Sequence, residues 1–292
     1  MKFWFFINDL RQQSMFIFLL FVSVYPSTIL WANESTVTAA STEQVIKLIK
    51  GDKPYFVPQS LDNLPNDKYG VEVELGFNIF TKTAEYASRY VGNGLTCSNC
   101  HLDGGRQANA APLWGAFGMY PAYRSRDDRS INLEERIQQC FKFSLNGFAP
   151  AVDAPEIRAL LSYMHFISKG VPVGTQLPGR GFPQVMKTGY DPNPTRGEST
   201  YAEKCAHCHG NQGEGKKEDE TYIYPPLWGM NSYNKAAGFS RIPLLAGFIR
   251  ANMPFGQGWS LTDQESLDLA AYINLQLRPW DPREGFFKSL FN

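Results

Sequence analysis

The sequence predicts an all-α protein of two small helical domains joined by a long linker. Three observations predict it. Each half carries a CxxCH run, a Pro-Leu-Trp-Gly run downstream of it, and an amphipathic helical pattern that closes the half. The CxxCH runs are Cys97-Ser98-Asn99-Cys100-His101 and Cys205-Ala206-His207-Cys208-His209, and they hold four of the five cysteines. The Pro-Leu-Trp-Gly runs are 112–115 and 226–229, and Tyr163 and Tyr272 match in the closing helices. A repeat of this length is the signature of a duplicated structural unit.

The CxxCH spacing is the attachment signature of c-type haem: two thiols form thioethers and the adjacent histidine ligates the iron. In an oxidising compartment the same cysteines could form two vicinal disulfides, but a histidine directly after each pair favours haem. Two covalently bound haem c groups are therefore expected, one on Cys97, Cys100 and His101 and one on Cys205, Cys208 and His209. Each half then reads as a class I cytochrome c-like domain.

Lys2 and Arg11 precede and flank an apolar run around Met15–Val22, and Ala32 leads into the polar segment 33–36. Residues 1–32 therefore read as a signal peptide, with Leu30 an imperfect residue near the exit, so retention as a membrane anchor stays open. Export to the periplasm is expected in either case. No other stretch is apolar for long enough to span a bilayer. Basic and acidic residues balance at 28 each, and the chain beyond residue 32 carries about one net negative charge. Nothing in this resembles the basic footprint of a nucleic-acid binder.

Residues 33–68 form an N-terminal extension with a short helix expected over 42–49. The first domain is expected over 69–168. A helical candidate lies between Tyr69 and Tyr90, with Ile79, Ala84, Tyr86 and Tyr90 as inward positions. Asn132 and Glu135 are spaced to cap a helix whose apolar stripe is Leu133, Ile137 and Phe141. Asp153 is expected to cap the closing helix, with Pro155 in its first turn and Ile157, Leu160, Leu161, Met164 and Ile167 at helical spacing. Residues 169–196 are rich in Gly and Pro and read as a linker laid over both domains. The second domain is expected over 197–280, its closing helix opened by a Thr262–Glu265 capping box. Residues 281–292 form a tail.

The sixth iron position distinguishes the halves. Met253 precedes Pro254 in the loop after a helical run, which suits a thioether ligand; core packing, with Met230 as a rival ligand, is the alternative. Met253 lies twenty-five residues beyond Trp228, and Cys140 lies twenty-six beyond Trp114. Cys140 therefore takes the methionine's place in the first half. A thiolate ligand favours ferric iron and depresses the potential. The alternative is a buried inert cysteine, with the site open or filled by Met119 or Met164. Arg136, Cys140 and Ser144 are four apart and would stack on one helical face. Arg124, Arg126 and Arg129 lie upstream among Asp127 and Asp128. An arginine and a hydroxyl beside a thiolate suit a small oxyanion; arginines paired with Asp127, Asp128, Glu134 and Glu135 on the surface are the competing reading.

The runs Asn93–Leu102, Glu134–Phe141 with Ser144–Gly147, Cys205–Gly210, Pro225–Gly229 and Asn252–Pro254 together resemble the dihaem thiosulfate dehydrogenases of the TsdA type. The resemblance covers roughly residues 69–280. It implies oxidation of two thiosulfates to tetrathionate, with tetrathionate reduction as the reverse reaction. It further implies a catalytic haem bound by His101 and Cys140, and an electron-transfer haem bound by His209 and Met253. Arg126 and Arg136 match arginines that help hold the anionic substrate, and Ser144 matches the serine that follows the cysteine in that family. Some members carry Lys where Asn252 stands, so an alternative lysine ligand is not expected. The partners implied are thiosulfate or tetrathionate and an external acceptor, such as a small cytochrome c or another periplasmic redox protein. A non-catalytic dihaem carrier, a partner-dependent sulfur-oxidising cytochrome subunit and a dihaem peroxidase are the competing readings. Cys140 in the distal slot counts against the first and the last.

Overall fold

The computed structural model describes residues 55–218 and 221–284. The signal-peptide segment and the helix expected over 42–49 lie outside the described residues. Helix α1 (Lys68–Thr81) starts where the Asp67 side chain accepts from Gly70 N at 2.9 Å, and it buries Val73, Gly76, Ile79 and Phe80. It stops at Lys82, whose φ of −131° and ψ of 50° are not helical. The longer helix expected through Tyr90 is therefore broken into two short turns, Thr83–Tyr86 and Ser88–Tyr90. The break rotates the later residues off the apolar stripe, and Tyr86 is 40% exposed instead of facing inward.

A short antiparallel ribbon, β1 (Ala122–Arg124) with β2 (Arg129–Ile131), leads into α2 (Leu133–Gln139). Strands this short show no alternation that a sequence pattern could reveal. Asn132 and Glu135 form the expected reciprocal cap of α2. The closing helix α3 (Pro155–Ile167) is capped by Ala154, not Asp153: Ala154 holds the extended cap backbone, and no side chain caps the helix. Pro155 does occupy the first turn, where its missing N–H has no cost. Ile157, Leu160, Met164 and Ile167 are all buried.

The segment after α3 runs across both halves. Gly179 and Gly181 carbonyls accept from Asn109 N and Ala111 N at 2.7 and 2.8 Å, and Phe182 packs against Phe239 and Phe248. Helix α4 (Pro194–Lys204) begins inside the expected linker, because Asn193 caps it and Pro194 fits its first turn. A second ribbon, β3 (Lys216–Glu218) with β4 (Thr221–Tyr224), precedes α5 (Ile242–Asn252). Helix α6 (Asp263–Leu275) carries the Thr262–Glu265 capping box as expected.

The two halves cross their first and closing helices in the same way, at a glycine. A Cβ on Gly76 would lie 2.0 Å from the Ala159 carbonyl oxygen, and one on Gly197 would lie 2.1 Å from that of Asp268. Tyr163 and Tyr272 then fill matching places, each with a Cβ 2.8 Å from the position a glycine Cβ would take. The repeated tyrosine thus marks the crossing of α1 with α3 and of α4 with α6.

Candidate functional site

Each CxxCH histidine is aimed by a backbone carbonyl. Nδ1 of His101 lies 2.7 Å from the Ala111 carbonyl oxygen, and Nδ1 of His209 lies 2.9 Å from that of Pro225. A carbonyl oxygen only accepts, so Nδ1 carries the proton and donates, leaving Nε2 as the lone-pair nitrogen. Ala111 and Pro225 each immediately precede the repeated Pro-Leu-Trp-Gly run. That repeat therefore has a chemical reason: it delivers the carbonyl that orients an iron ligand. Burial lowers the His101 pKa to about 4 and also lowers that of His209, so both imidazoles are neutral at neutral pH, the form that binds a metal. Burial also pushes the thiols of Cys97 and Cys100 up to about 12, and that of Cys205 to about 11.

A cavity of about 260 Å³ separates this first motif from Cys140. Since roughly 10–15 Å³ of such space holds one water, it is sized for a large group. Cys97, Cys100 and His101 are on its wall, as are Arg136, Ile137, Cys140, Phe141 and Ser144. The lining is otherwise largely apolar, from Phe80, Leu95, Leu113, Leu133, Leu145, Leu160 and Met164. Two thiols, a neutral imidazole with a free Nε2, an opposed sulfur and an apolar enclosure fit a covalently held haem. In the second half Met253 is partly buried against the core that also contacts Cys205, whereas Met230 is 72% exposed. The buried position suits a ligand and the exposed one does not.

Cys140 stands where the helix changes pitch. The α-helix ends at Gln139 and the chain continues as a π-turn over Cys140–Ser144, closed by Leu145 N donating to the Cys140 carbonyl at 3.0 Å. Such wide turns are rare and are frequently found at functional sites. Four-residue spacing nevertheless brings Arg136, Cys140 and Ser144 to one cavity, and Arg136 Nη1 donates to Cys140 Sγ at 3.2 Å. The neighbouring Cys140 sulfur holds the Arg136 pKa above its ordinary value against the opposing effect of burial, so the guanidinium stays charged.

The other arginines divide. Arg124 lines the cavity, and so does Arg180 from the inter-domain segment, which no sequence signal singled out. Arg129 is turned away and pairs with Glu135 at 2.8 Å on the surface, as the competing reading held for this residue. Arg126 is not on the cavity wall; its guanidinium carbon lies 5.7 Å from the centre of the Phe143 ring, which Arg283 approaches from the C-terminal segment at 5.3 Å. Burial, then Arg283, Arg241 and Arg136, lowers the Arg126 pKa from its ordinary value. Arg241 and Arg283 both come from the second half and were not legible from local sequence. Three arginines, Arg124, Arg136 and Arg180, therefore share the cavity wall with the Cys140 sulfur, a field suited to an oxyanion.

Comparisons with known proteins find two cytochrome c domains in the chain. Residues 83–173 match the SoxA/TsdA cytochrome c domain, and residues 192–273 match the cytochrome c oxidase, cbb3-type, subunit III family. The thiosulfate dehydrogenase of Stutzerimonas stutzeri is 48% identical over 78% of this chain and 75% of its own length. That of Thiomonas intermedia is 40% identical over 94% of this chain and 87% of its own. Among solved structures, the thiosulfate dehydrogenase (TsdBA) of Marichromatium purpuratum superposes with a TM-score of 0.75 at 43% identity. It covers 78% of this chain, which spans 50% of that longer one. The two matched cytochrome c segments carry two covalently bound c-type haems.

Proposed function

Because this chain belongs to the thiosulfate dehydrogenase family, we propose that it joins two thiosulfates into tetrathionate, and that it can run the reaction in reverse. The observation that carries the proposal is Cys140: a sulfur opposite the first CxxCH motif, with the Arg136 guanidinium on it at 3.2 Å. A simple electron carrier has no use for a nucleophilic sulfur inside a cationic pocket.

The residues of the chain would act as follows. Two dianions must meet, and their repulsion opposes the reaction. Arg136 offsets it from the cavity wall, Arg126 adds positive charge from outside that wall, and the Ser144 hydroxyl offers a hydrogen bond to a sulfonate oxygen. The Cys140 thiolate forms an S–S bond with the sulfane sulfur of the first thiosulfate, releasing two electrons. The second thiosulfate attacks that sulfane sulfur, the S–S bond to Cys140 breaks, tetrathionate leaves and the thiolate is regenerated. His101 and Cys140 would hold one haem and His209 and Met253 the other, and together these groups would supply two one-electron acceptors, with an external redox protein as the final acceptor.

A small periplasmic cytochrome c fits the acceptor role, and the periplasm fits the covalent haem. Among the described residues no helix is long and apolar enough to cross a membrane. The test is to mix the oxidised dihaem protein with thiosulfate while recording the visible spectrum and the sulfur products. The proposal expects haem reduction and tetrathionate formed in proportion to the electrons taken up. A protein whose spectrum ignores both thiosulfate and tetrathionate is a carrier, and the proposal fails.

A further inference from the structure

The π-turn that presents Cys140 is not completed by its own domain alone. The last carbonyls of a helix have no partner within it and must find donors elsewhere. Here those of Lys142, Phe143 and Ser144 find them in two asparagines. Asn234, from the second half, donates Nδ2 to the Lys142 carbonyl at 2.9 Å and its backbone N–H to the Phe143 carbonyl at 3.0 Å. Asn93 donates Nδ2 to the Ser144 carbonyl at 2.9 Å and to the Ser232 carbonyl at 3.1 Å, tying the same turn to the same loop of the second half. Asn234 Nδ2 also donates to Asn146 Oδ1 at 3.1 Å, while its Oδ1 accepts from Ala236 N. An acceptor on one side and a donor on the other fix which way this amide points.

Packing repeats the pattern. Phe141 and Leu145 belong to the core of the first half, but Phe143 between them belongs to the core of the second. Asn234 and Ser232 are fully buried, so water does not replace these bonds.

We infer that Asn234 is a positioning residue for the Cys140 turn, so that the second haem domain builds the catalytic site as well as serving it. Asn234 does not touch the cavity; it acts by capping the turn that holds Cys140 and Ser144. The catalytic meaning rests on the function proposed above, whereas the positioning itself does not.

The test compares the full dihaem protein with Asn234→Ala and Ser240→Ala. Ser240 Oγ donates to the Asn234 carbonyl at 3.2 Å, so its loss perturbs the same loop without cutting the link to the turn. Amide hydrogen exchange over residues 140–147 is the primary readout, because it needs no assumption about the haem. Loss of the two side-chain bonds that reach the turn, to the Lys142 carbonyl and to Asn146 Oδ1, predicts roughly two- to tenfold or greater acceleration there in Asn234→Ala, with residues 155–167 unchanged. The ferric spectrum should alter at the first haem and keep the second haem's features. Unchanged exchange over 140–147, or an equal effect from Ser240→Ala, overturns the inference. If Asn234→Ala does not fold, Asn146→Gly removes only the partner side chain at a residue with φ of 46°, which glycine accepts. It should accelerate exchange of the same turn, and unchanged exchange there would again overturn the inference. A wild-type protein with no thiosulfate chemistry but the same exchange response would reject the function and leave the positioning standing.

Discussion

Arg136 donates to the sulfur of Cys140 at 3.2 Å, across the point where an α-helix becomes a π-turn. The two residues are four apart, so one turn of backbone holds cation and sulfur together without help from a distant element. In the proposed reaction this pair is the chemical centre: a charge beside the reacting sulfur that stays beside the anion the sulfur binds.

Removing that charge should therefore damage catalysis more than folding. Arg136→Gln deletes a charge-assisted hydrogen bond, which corresponds to roughly 10- to 100-fold in kcat/KM for thiosulfate. Arg136→Lys keeps the charge but loses the planar fork, so it should recover only part of the loss. Steady-state kinetics at several ionic strengths would check this; a Gln variant with wild-type kcat/KM would contradict it.

The helix crossings make a separate prediction about stability. Gly76→Ala and Gly197→Ala each place a methyl within 2.0–2.1 Å of a backbone oxygen, so the crossing helices must move apart. The expected cost is about 1–3 kcal/mol for each, as for other overpacked sites. Thermal unfolding of the dihaem protein should show a lower midpoint for both variants. An unchanged midpoint would mean that the crossings are looser than the geometry shows.

Acid should weaken the cap of α6. The Glu265 carboxylate is partly desolvated, which by itself raises its pKa, but it accepts from Thr262 N and Oγ1 and pairs with Lys204 Nζ at 2.9 Å. These contacts outweigh burial and bring its pKa from 4.5 down to about 2. The folded value is below the unfolded one, so the stabilisation is present above pH 4.5 and fades as pH falls towards 2. Glu265→Gln should lose about 1 kcal/mol at neutral pH, a figure kept small because the pair is about one-third exposed. The gap to the wild-type protein should close between those two pH values in acid-titrated unfolding. A gap independent of pH would contradict the assignment.

Local chemistry was legible in the sequence and long-range chemistry was not. The Asn132–Glu135 and Thr262–Glu265 caps need only a three-residue spacing, and both form. The Asp153 cap failed because the extended cap backbone falls one residue later, at Ala154, a shift of a kind composition does not encode. Counting from the repeated tryptophans pointed to Cys140, which lines the same cavity as the first CxxCH motif. Arg129 looked like its neighbours in a row of arginines, yet the β-ribbon turns it towards Glu135. Asn234 carried no signal, since it reaches a turn 92 residues earlier in the chain. Short-range spacing reveals caps and motifs; contacts between residues far apart in the chain leave no such spacing.

The central claim is that Cys140 is the reacting sulfur, and Cys140→Met tests it most directly. Methionine can fill the position as a thioether but cannot form the S–S bond to thiosulfate or leave from it. The variant should fold, carry two covalent haems by mass, and form tetrathionate at close to background rate. Near-normal turnover in that variant would contradict the account.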